Sequence, residues 1–298
     1  MLIFDVGGSF CKITSTNSKD NAIKRSIVRT PACLDGLISL FEEHASLMQC
    51  KTVIIGIPGP IKTGQDIIFL PPLNYSLSLR RIHSVFSRIG YKSAVVNDAV
   101  LRALLTSVSV PYSACRHNPS ILLTIGTSLG STIIVNTSLS ASFVPIELAH
   151  VSLPSCLDLS WINSDICPLF AGKNASSLFS AAGIYLSCDL ESSIKAISIT
   201  DSLYKIRDVN LLKHRAGHIN LGLLLRWFTC LTSYIENIFP DIGQVFITGG
   251  PLEILNSAPD DFLMKIAKLG FIYLSDTDLY NTSTLSLLQE VHYKSTLP

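Results

Sequence analysis

Five short segments that bear glycines or a carboxylate follow one another along this chain. They are Asp5-Val6-Gly7-Gly8-Ser9, Gly56-Ile57-Pro58-Gly59-Pro60, Asn97-Asp98-Ala99, Gly126-Thr127-Ser128-Leu129-Gly130 and Thr248-Gly249-Gly250. Paired glycines reach backbone angles that other residues avoid and let an anion approach the main-chain amides. In the first segment Ser9 adds a hydroxyl donor and Lys12 a nearby charge. Asp5 could hold Mg²⁺ directly or through water, since that ion keeps several waters and takes few carboxylates. The fourth segment repeats the device, with the hydroxyls of Thr127 and Ser128 between Gly126 and Gly130. Hydroxyls and amides converging on one point suit a β- or γ-phosphate. Each segment, taken alone, also reads as an ordinary hairpin turn.

Asn97-Asp98 closes an apolar run and opens a helical pattern. A carboxylate there stands at the C-terminal edge of a strand, where α/β sheets bind ligands. Asp98 is the best candidate general base, able to take a proton from a hydroxyl that attacks phosphorus. A plain helix N-cap explains the same two residues. Glu147 and His150 lie three apart in Glu147-Leu148-Ala149-His150. On one helical turn they would share a face and could grip vicinal hydroxyls, or hold a metal. Gly249-Gly250 would let a flat adenine or ribose pass close to the backbone, and equally suits a strand-to-helix turn.

Positioning these residues requires strands that end at them. Apolar, β-branched runs precede four of the segments, at Met1–Phe4, Val53–Ile55, Ala94–Val96 and Val245–Ile247; the Gly126 loop lies between Ile121–Ile125 and Ile133–Val135. The start reads as a hairpin of Leu2–Val6 and Cys11–Thr16, followed by a strand at Ile27–Thr30. Helical spacing of apolar residues marks Leu34–Leu47, Leu79–Gly90, a helix from Asp98 to Leu105, Glu191–Ile197 and Leu211–Phe239. Short strands are expected at Ile67–Leu70 and near Phe143–Ile146. The strand-rich opening recurs near residue 121, after a loop holding Pro111, Cys115 and Pro119. The expectation is two related α/β lobes, 1–115 and 116–298, with a cleft between them. The last helix either stays with the second lobe or packs back on the first.

Composition narrows the classes. Apolar residues make up 48% of the 298 and charged residues 15%, enough for sizeable cores. The net charge of +1, with no basic run, argues against nucleic acid as a partner. No apolar run reaches about 18 residues without a charge or turn, so no membrane span is expected. The opening Met-Leu-Ile-Phe-Asp-Val reads as a first strand and not as a leader. The eight cysteines, at 11, 33, 50, 115, 156, 167, 188 and 230, show no paired spacing. Reduced thiols and a cytoplasmic location are expected.

Together these residues resemble the ROK family of sugar kinases and regulators, within the actin/hexokinase-like ATPase superfamily. The resemblance runs from Asp5 to about Gly250. Asp5–Ser9 is similar to the family's first phosphate loop, D-x-G-G-T, and Gly56–Pro60 to its G-x-P-G. Asn97-Asp98-Ala99 is similar to its N-D-A, whose Asp is the catalytic base. Gly126–Gly130 resembles its second phosphate loop, G-T-G-x-G, with Ser128 for the middle glycine. Glu147–His150 resembles the sugar-binding E-x-G-H, with Ala149 for glycine. Phe239-Pro240-Asp241 and Val245–Gly250 resemble the segment before the adenosine loop. The resemblance implies two actin/RNase H-like lobes, each a mixed sheet flanked by helices. It also implies ATP and Mg²⁺, a hexose or N-acetylhexosamine substrate held by Asn97, Asp98, Glu147 and His150, and a homodimer.

The chain also departs from the family. Its members usually follow E-x-G-H with C-x-C-G-x-x-G-C-x-E, which binds a structural zinc. Here only Cys156 and Cys167 stand in that region, with His150 upstream, too few for a closed tetrahedral site. No structural zinc is expected, and the family's last sugar-binding Glu falls near Cys167. Pro251 stands where a third glycine is common. The expected activity is ATP-dependent sugar phosphorylation, glucokinase-like, with Asp98 as base. The alternative is a weakened sugar-binding pseudokinase or sensor. Family regulators carry a DNA-binding helix-turn-helix ahead of the first strand, and this chain begins at that strand.

Overall fold

The computed structural model describes residues 1–16, 23–47, 51–59, 61, 66–70, 74–110, 119–126, 128–136, 141–162, 173–188, 219–281 and 283–285. Thr127, Cys167 and the expected helix Glu191–Ile197 lie outside them. The chain divides into two compact units. One joins Met1–Pro111 to the residues from Thr277 onward, and the other is Tyr112–Asp276.

The first unit begins with β1 (Leu2–Val6), β2 (Phe10–Thr16) and β3 (Ile23–Arg29), then α1 (Leu34–Leu47) and β4 (Thr52–Ile57). A hairpin, β5 (Ile67–Leu70) with β6 (Tyr75–Ser78), leads to α2 (Leu79–Arg88), β7 (Lys92–Asn97) and α3 (Asp98–Ser109). The sheet order is β3-β2-β1-β4-β7. The first three strands are antiparallel, while β1, β4 and β7 run parallel. Every residue of β1 is buried, as a central strand covered on both faces must be. Phe4 meets Phe41 edge-on at 4.7 Å between centroids, and Phe86 completes the cluster. Ser78 caps α2 by accepting from the Arg81 amide.

The second unit repeats the plan. β8 (Ser120–Ile125), β9 (Leu129–Asn136) and β10 (Ala141–Pro145) form an antiparallel set, and β11 (Gln244–Thr248) and β12 (Phe271–Tyr273) add in parallel. The order β10-β9-β8-β11-β12 is that of the first sheet. Between them come α4 (Ala175–Phe179), α5 (Ala181–Cys188), α6 (Leu221–Ile238) and α7 (Asp260–Lys268). Trp227, Phe228 and Tyr234 of α6 are fully buried, and the Trp227 indole donates to the Leu178 carbonyl at 2.9 Å. Buried indoles need such a partner. A short helix, α8 (Asp276–Leu279), follows β12.

Each unit is thus a mixed five-stranded sheet flanked by helices. The strands bounding the glycine segments lie where the apolar runs place them. β3 begins at Ile23, earlier than Ile27, because its pairing with β2 carries on through polar residues that apolar patterning does not mark. Among the described residues no helix is long and apolar enough to cross a membrane.

Candidate active site

Asp5 sits near the end of β1, opposite Lys12 on β2 and beside Gly56 on β4. The turn that follows is tightly tied. The Gly7 amide donates to the Phe10 carbonyl at 2.9 Å, and Thr30 donates to the Gly7 and Ser9 carbonyls through its hydroxyl and amide. Gly7, Gly8 and Ser9 therefore form a pinned loop. A Cβ on Gly7 would lie 3.0 Å from the Phe10 carbonyl oxygen.

α3 starts where β7 ends. Asn97 is its N-cap: its side-chain oxygen accepts from the amides of Ala99 and Val100, and its Nδ2 donates to the Gly59 carbonyl at 3.0 Å. Gly56 lets the helix approach, since a Cβ there would stand 2.6 Å from Leu101 and 3.3 Å from the Asp98 backbone. So Gly56 and Gly59 act on the site through the placement of α3. Asp98 follows as the first helical residue, half-buried, with one oxygen accepting from the Ala99 amide at 2.9 Å. Its carboxyl is pushed up to about 6, chiefly by desolvation and then by the charge of Asp5; Arg102 and the Ala99 amide act in the opposite direction. That range suits a group that accepts a proton near neutrality.

One turn beyond Asp98, Arg102 turns inward. Its Nη2 donates to Asp5 Oδ2 at 2.7 Å, with side-chain exposures of 9% and 4%. The Tyr280 hydroxyl donates to the same oxygen at 3.0 Å. Tyr280 is itself 2% exposed. Its carbonyl accepts from Arg25, whose guanidinium also lies over its ring. Thr284 and Ser109 join the same segment to α3. Neither Arg102 nor Tyr280 was singled out by the sequence. An arginine among Leu101, Ala103 and Leu105 on an apolar face was the available signal for the first. Tyr280 lies 275 residues from Asp5 in sequence, and nothing local marks it.

In the second unit the Gly126 amide donates to the Ser128 carbonyl at 3.0 Å, which tightens the β8–β9 turn. Ser128 shares a hydrogen bond of 2.8 Å with Ser176, near the start of α4, and the Leu129 amide points to the same hydroxyl. Gly130 lies within β9, paired with Thr124. Gly249, at φ +135°, abuts β8 so closely that a Cβ would stand 1.9 Å from the Ile125 carbonyl oxygen. This close approach explains Gly249 without a ligand. Gly250 opens a 3₁₀ turn and is open to substitution on steric grounds. Glu147 precedes and His150 ends a single 3₁₀ turn, Leu148–His150, and not an α-helical one. Their side chains are 64% and 74% exposed and 3.7 Å apart at the nearest charged atoms, free to meet a ligand. Cys156 is exposed, and no group of three metal-ligating side chains occurs among the described residues.

No family model and no curated protein matches the sequence. Solved structures match the fold over nearly all of it. A glucokinase from Balamuthia mandrillaris, in complex with glucose, is similar at a TM-score of 0.64 and 12% identity, covering 97% of this chain and 93% of the other. A ROK family glucokinase from Streptomyces griseus, in complex with glucose and AMPPNP, gives 0.61 at 16%, covering 97% and 100%. A glucokinase from an Antarctic psychrotroph gives 0.57 at 16%, covering 97% and 98%. The chain therefore has the fold of the ROK-family sugar kinases.

Proposed function

We propose that this chain is an ATP-dependent sugar kinase of the ROK type, acting on a hexose or N-acetylhexosamine with Asp98 as general base. The observation that carries the reading is Asp98 itself. It stands where β7 ends and α3 begins, near enough to Asp5 to feel its charge, its carboxyl raised to about 6 by burial and by Asp5. A sugar hydroxyl gives its proton to Asp98 as its oxygen attacks the γ-phosphorus. The bond from that phosphorus to the β-bridging oxygen breaks, and ADP leaves. The Gly8 amide, with the hydroxyls of Ser9, Thr127 and Ser128, positions and neutralises the phosphates, while the Gly7 and Gly126 amides close the turns that carry them. Fixed donors of this kind carry most of the rate in such transfers. Glu147 and His150 hold sugar hydroxyls, the carboxylate accepting and the ring donating. Gly249 and Gly250 border the nucleoside. Neighbours of the same fold are glucokinases, one in complex with glucose and AMPPNP. A homodimer and a cytoplasmic location complete the reading.

Asp5 is the carboxylate that Mg²⁺ would use. With Oδ2 committed to Arg102 and Tyr280 and the side chain 4% exposed, the residues present do not fit a metal held directly by Asp5. This same pairing favours a second reading, a sugar-binding protein of weakened catalysis. A coupled assay of ADP release over a panel of hexoses and N-acetylhexosamines, with ATP and polyphosphate as donors, separates the two. Turnover on one sugar supports the kinase; sugar binding with no turnover on any donor supports the sensor.

A further inference from the structure

Asp5 lies in a strand buried along its whole length, and its charge must be satisfied there. Two groups do so. The Arg102 guanidinium meets Oδ2 at 2.7 Å and the Tyr280 hydroxyl meets it at 3.0 Å. Arg102 is 7% exposed and Tyr280 2% exposed. Arg102 stands one turn after Asp98 on α3, so the same helix face delivers a carboxylate and then a cation to the glycine loop. Arg25 donates to the Tyr280 carbonyl, and the segment around it is tied by Asn281, whose Nδ2 donates to the Asp278 carbonyl and whose Oδ1 accepts from the Thr284 amide. One of the two Asp5 carboxylate oxygens is thus occupied by a fixed positive charge, and the carboxylate is already neutralised before any metal arrives.

We propose that the cation Asp5 holds is Arg102, with Tyr280 fixing the pair, and that this chain binds no divalent metal of its own at the first glycine loop. Any Mg²⁺ in the reaction then arrives on the nucleotide and leaves with it. Arg102 supplies a permanent charge where a metal would supply a transient one. An arginine cannot be deprotonated or exchanged at neutral pH, so the loop stays charge-balanced whether nucleotide is present or not. The inference rests on the sugar-kinase reading only in taking Gly7–Ser9 as a phosphate loop.

Mn²⁺ titrated into the full chain without nucleotide, followed by electron paramagnetic resonance of the free ion, should show no saturable site. Asp5→Asn should lower the thermal midpoint by about 5–10 °C or more, because it leaves Arg102 buried against a neutral group. Asp5→Asn combined with Arg102→Met removes both charges, and should recover most of that loss even if the single variant does not fold. One equivalent of Mn²⁺ bound by the wild type and lost in Asp5→Asn overturns the proposal. So does an Asp5→Asn midpoint equal to that of the wild type, or a double variant no more stable than the single. None of these measurements uses turnover. A chain that phosphorylates no sugar leaves the inference standing, and one that turns over while holding Mn²⁺ on Asp5 overturns the inference alone.

Discussion

Arg102 on α3 and Asp5 on β1 form an ion pair of 2.7 Å in which neither side chain is more than a tenth exposed. Their separation in sequence is 97. A pair this buried contributes little net stability, because desolvation offsets attraction, yet breaking it by removing one partner costs about 3–5 kcal/mol. It therefore ties the helix that Asp98 begins to the strand that leads into the glycine loop. It acts beside the Asn97 cap and the close approach at Gly56, which also hold the start of the helix against the sheet.

Tyr280→Phe should keep the pair and lose one donor to it. Removing a hydrogen bond to a charged acceptor costs about 1.5–3 kcal/mol. The expected result is a lower urea midpoint with an unchanged slope, smaller than the loss in Asp5→Asn. A Tyr280→Phe midpoint indistinguishable from wild type would show that the hydroxyl does not carry that contact in solution.

Asp98→Asn should trade activity for stability. Turnover should fall by about 10²–10⁴-fold if Asp98 is the base, while sugar binding persists. The raised carboxyl means that the folded state disfavours its charge. Stability is thus lost as pH rises from the unfolded value of about 4 to the folded value of about 6, and the full penalty persists above that. Asparagine removes it. The variant should be more stable than wild type by about 2 kcal/mol at pH 7.5, with the gain gone below about pH 4. Unfolding in urea at both pH values checks this, and a variant destabilised at pH 7.5 contradicts the origin of the shift.

The same carboxyl sets a rate profile. If Asp98 must be ionised to accept the proton, kcat/KM should rise with pH through about 6 and level off above it. A profile flat from pH 5 to pH 8 would exclude Asp98 as the essential base in the free enzyme.

Gly249→Ala should damage the second unit. The added methyl would stand 1.9 Å from the Ile125 carbonyl, at a φ of +135° that L-residues rarely adopt. Strain and clash together should cost roughly 2–4 kcal/mol. Gly250→Ala meets nothing within 4 Å and should shift the midpoint by well under 1 kcal/mol. Equal effects at the two positions would contradict the close approach of Gly249 to Ile125.

What the sequence could show follows from range. Met1–Phe4, Val53–Ile55, Ala94–Val96 and Val245–Ile247 are continuous apolar runs because buried parallel strands need them, and a single chain displays them plainly. Asp98 was singled out because it stands just after such a run, at a helix start, in company with the four other segments. Asn97 was legible as a helix cap, and its polar atoms are spent on Ala99, Val100 and Gly59. The partners of Asp5 were not legible, since Arg102 and Tyr280 reach it only through tertiary packing. The hairpin β5–β6 also went unread at Tyr75–Ser78, whose short polar pattern carries no strand period of its own.

Glu147 and His150 make the last test, because they are the expected ligands that folding does not use. Their side chains are 64% and 74% exposed and touch each other only at 3.7 Å. An exposed pair at that distance contributes about 0–1 kcal/mol to stability, so Glu147→Ala should leave the thermal midpoint unchanged. If the carboxylate holds a sugar hydroxyl, its loss removes a charge-assisted hydrogen bond of about 1.5–3 kcal/mol. The sugar KM should then rise about 10- to 100-fold, with the KM for ATP far less affected. His150→Ala should act in the same direction. A Glu147→Ala chain with normal sugar KM would place the sugar elsewhere, whereas one with a lowered midpoint would mean that the turn Leu148–His150 depends on Glu147 for its fold. The two measurements together separate ligand binding from structure at a part of the proposed site that packing leaves exposed.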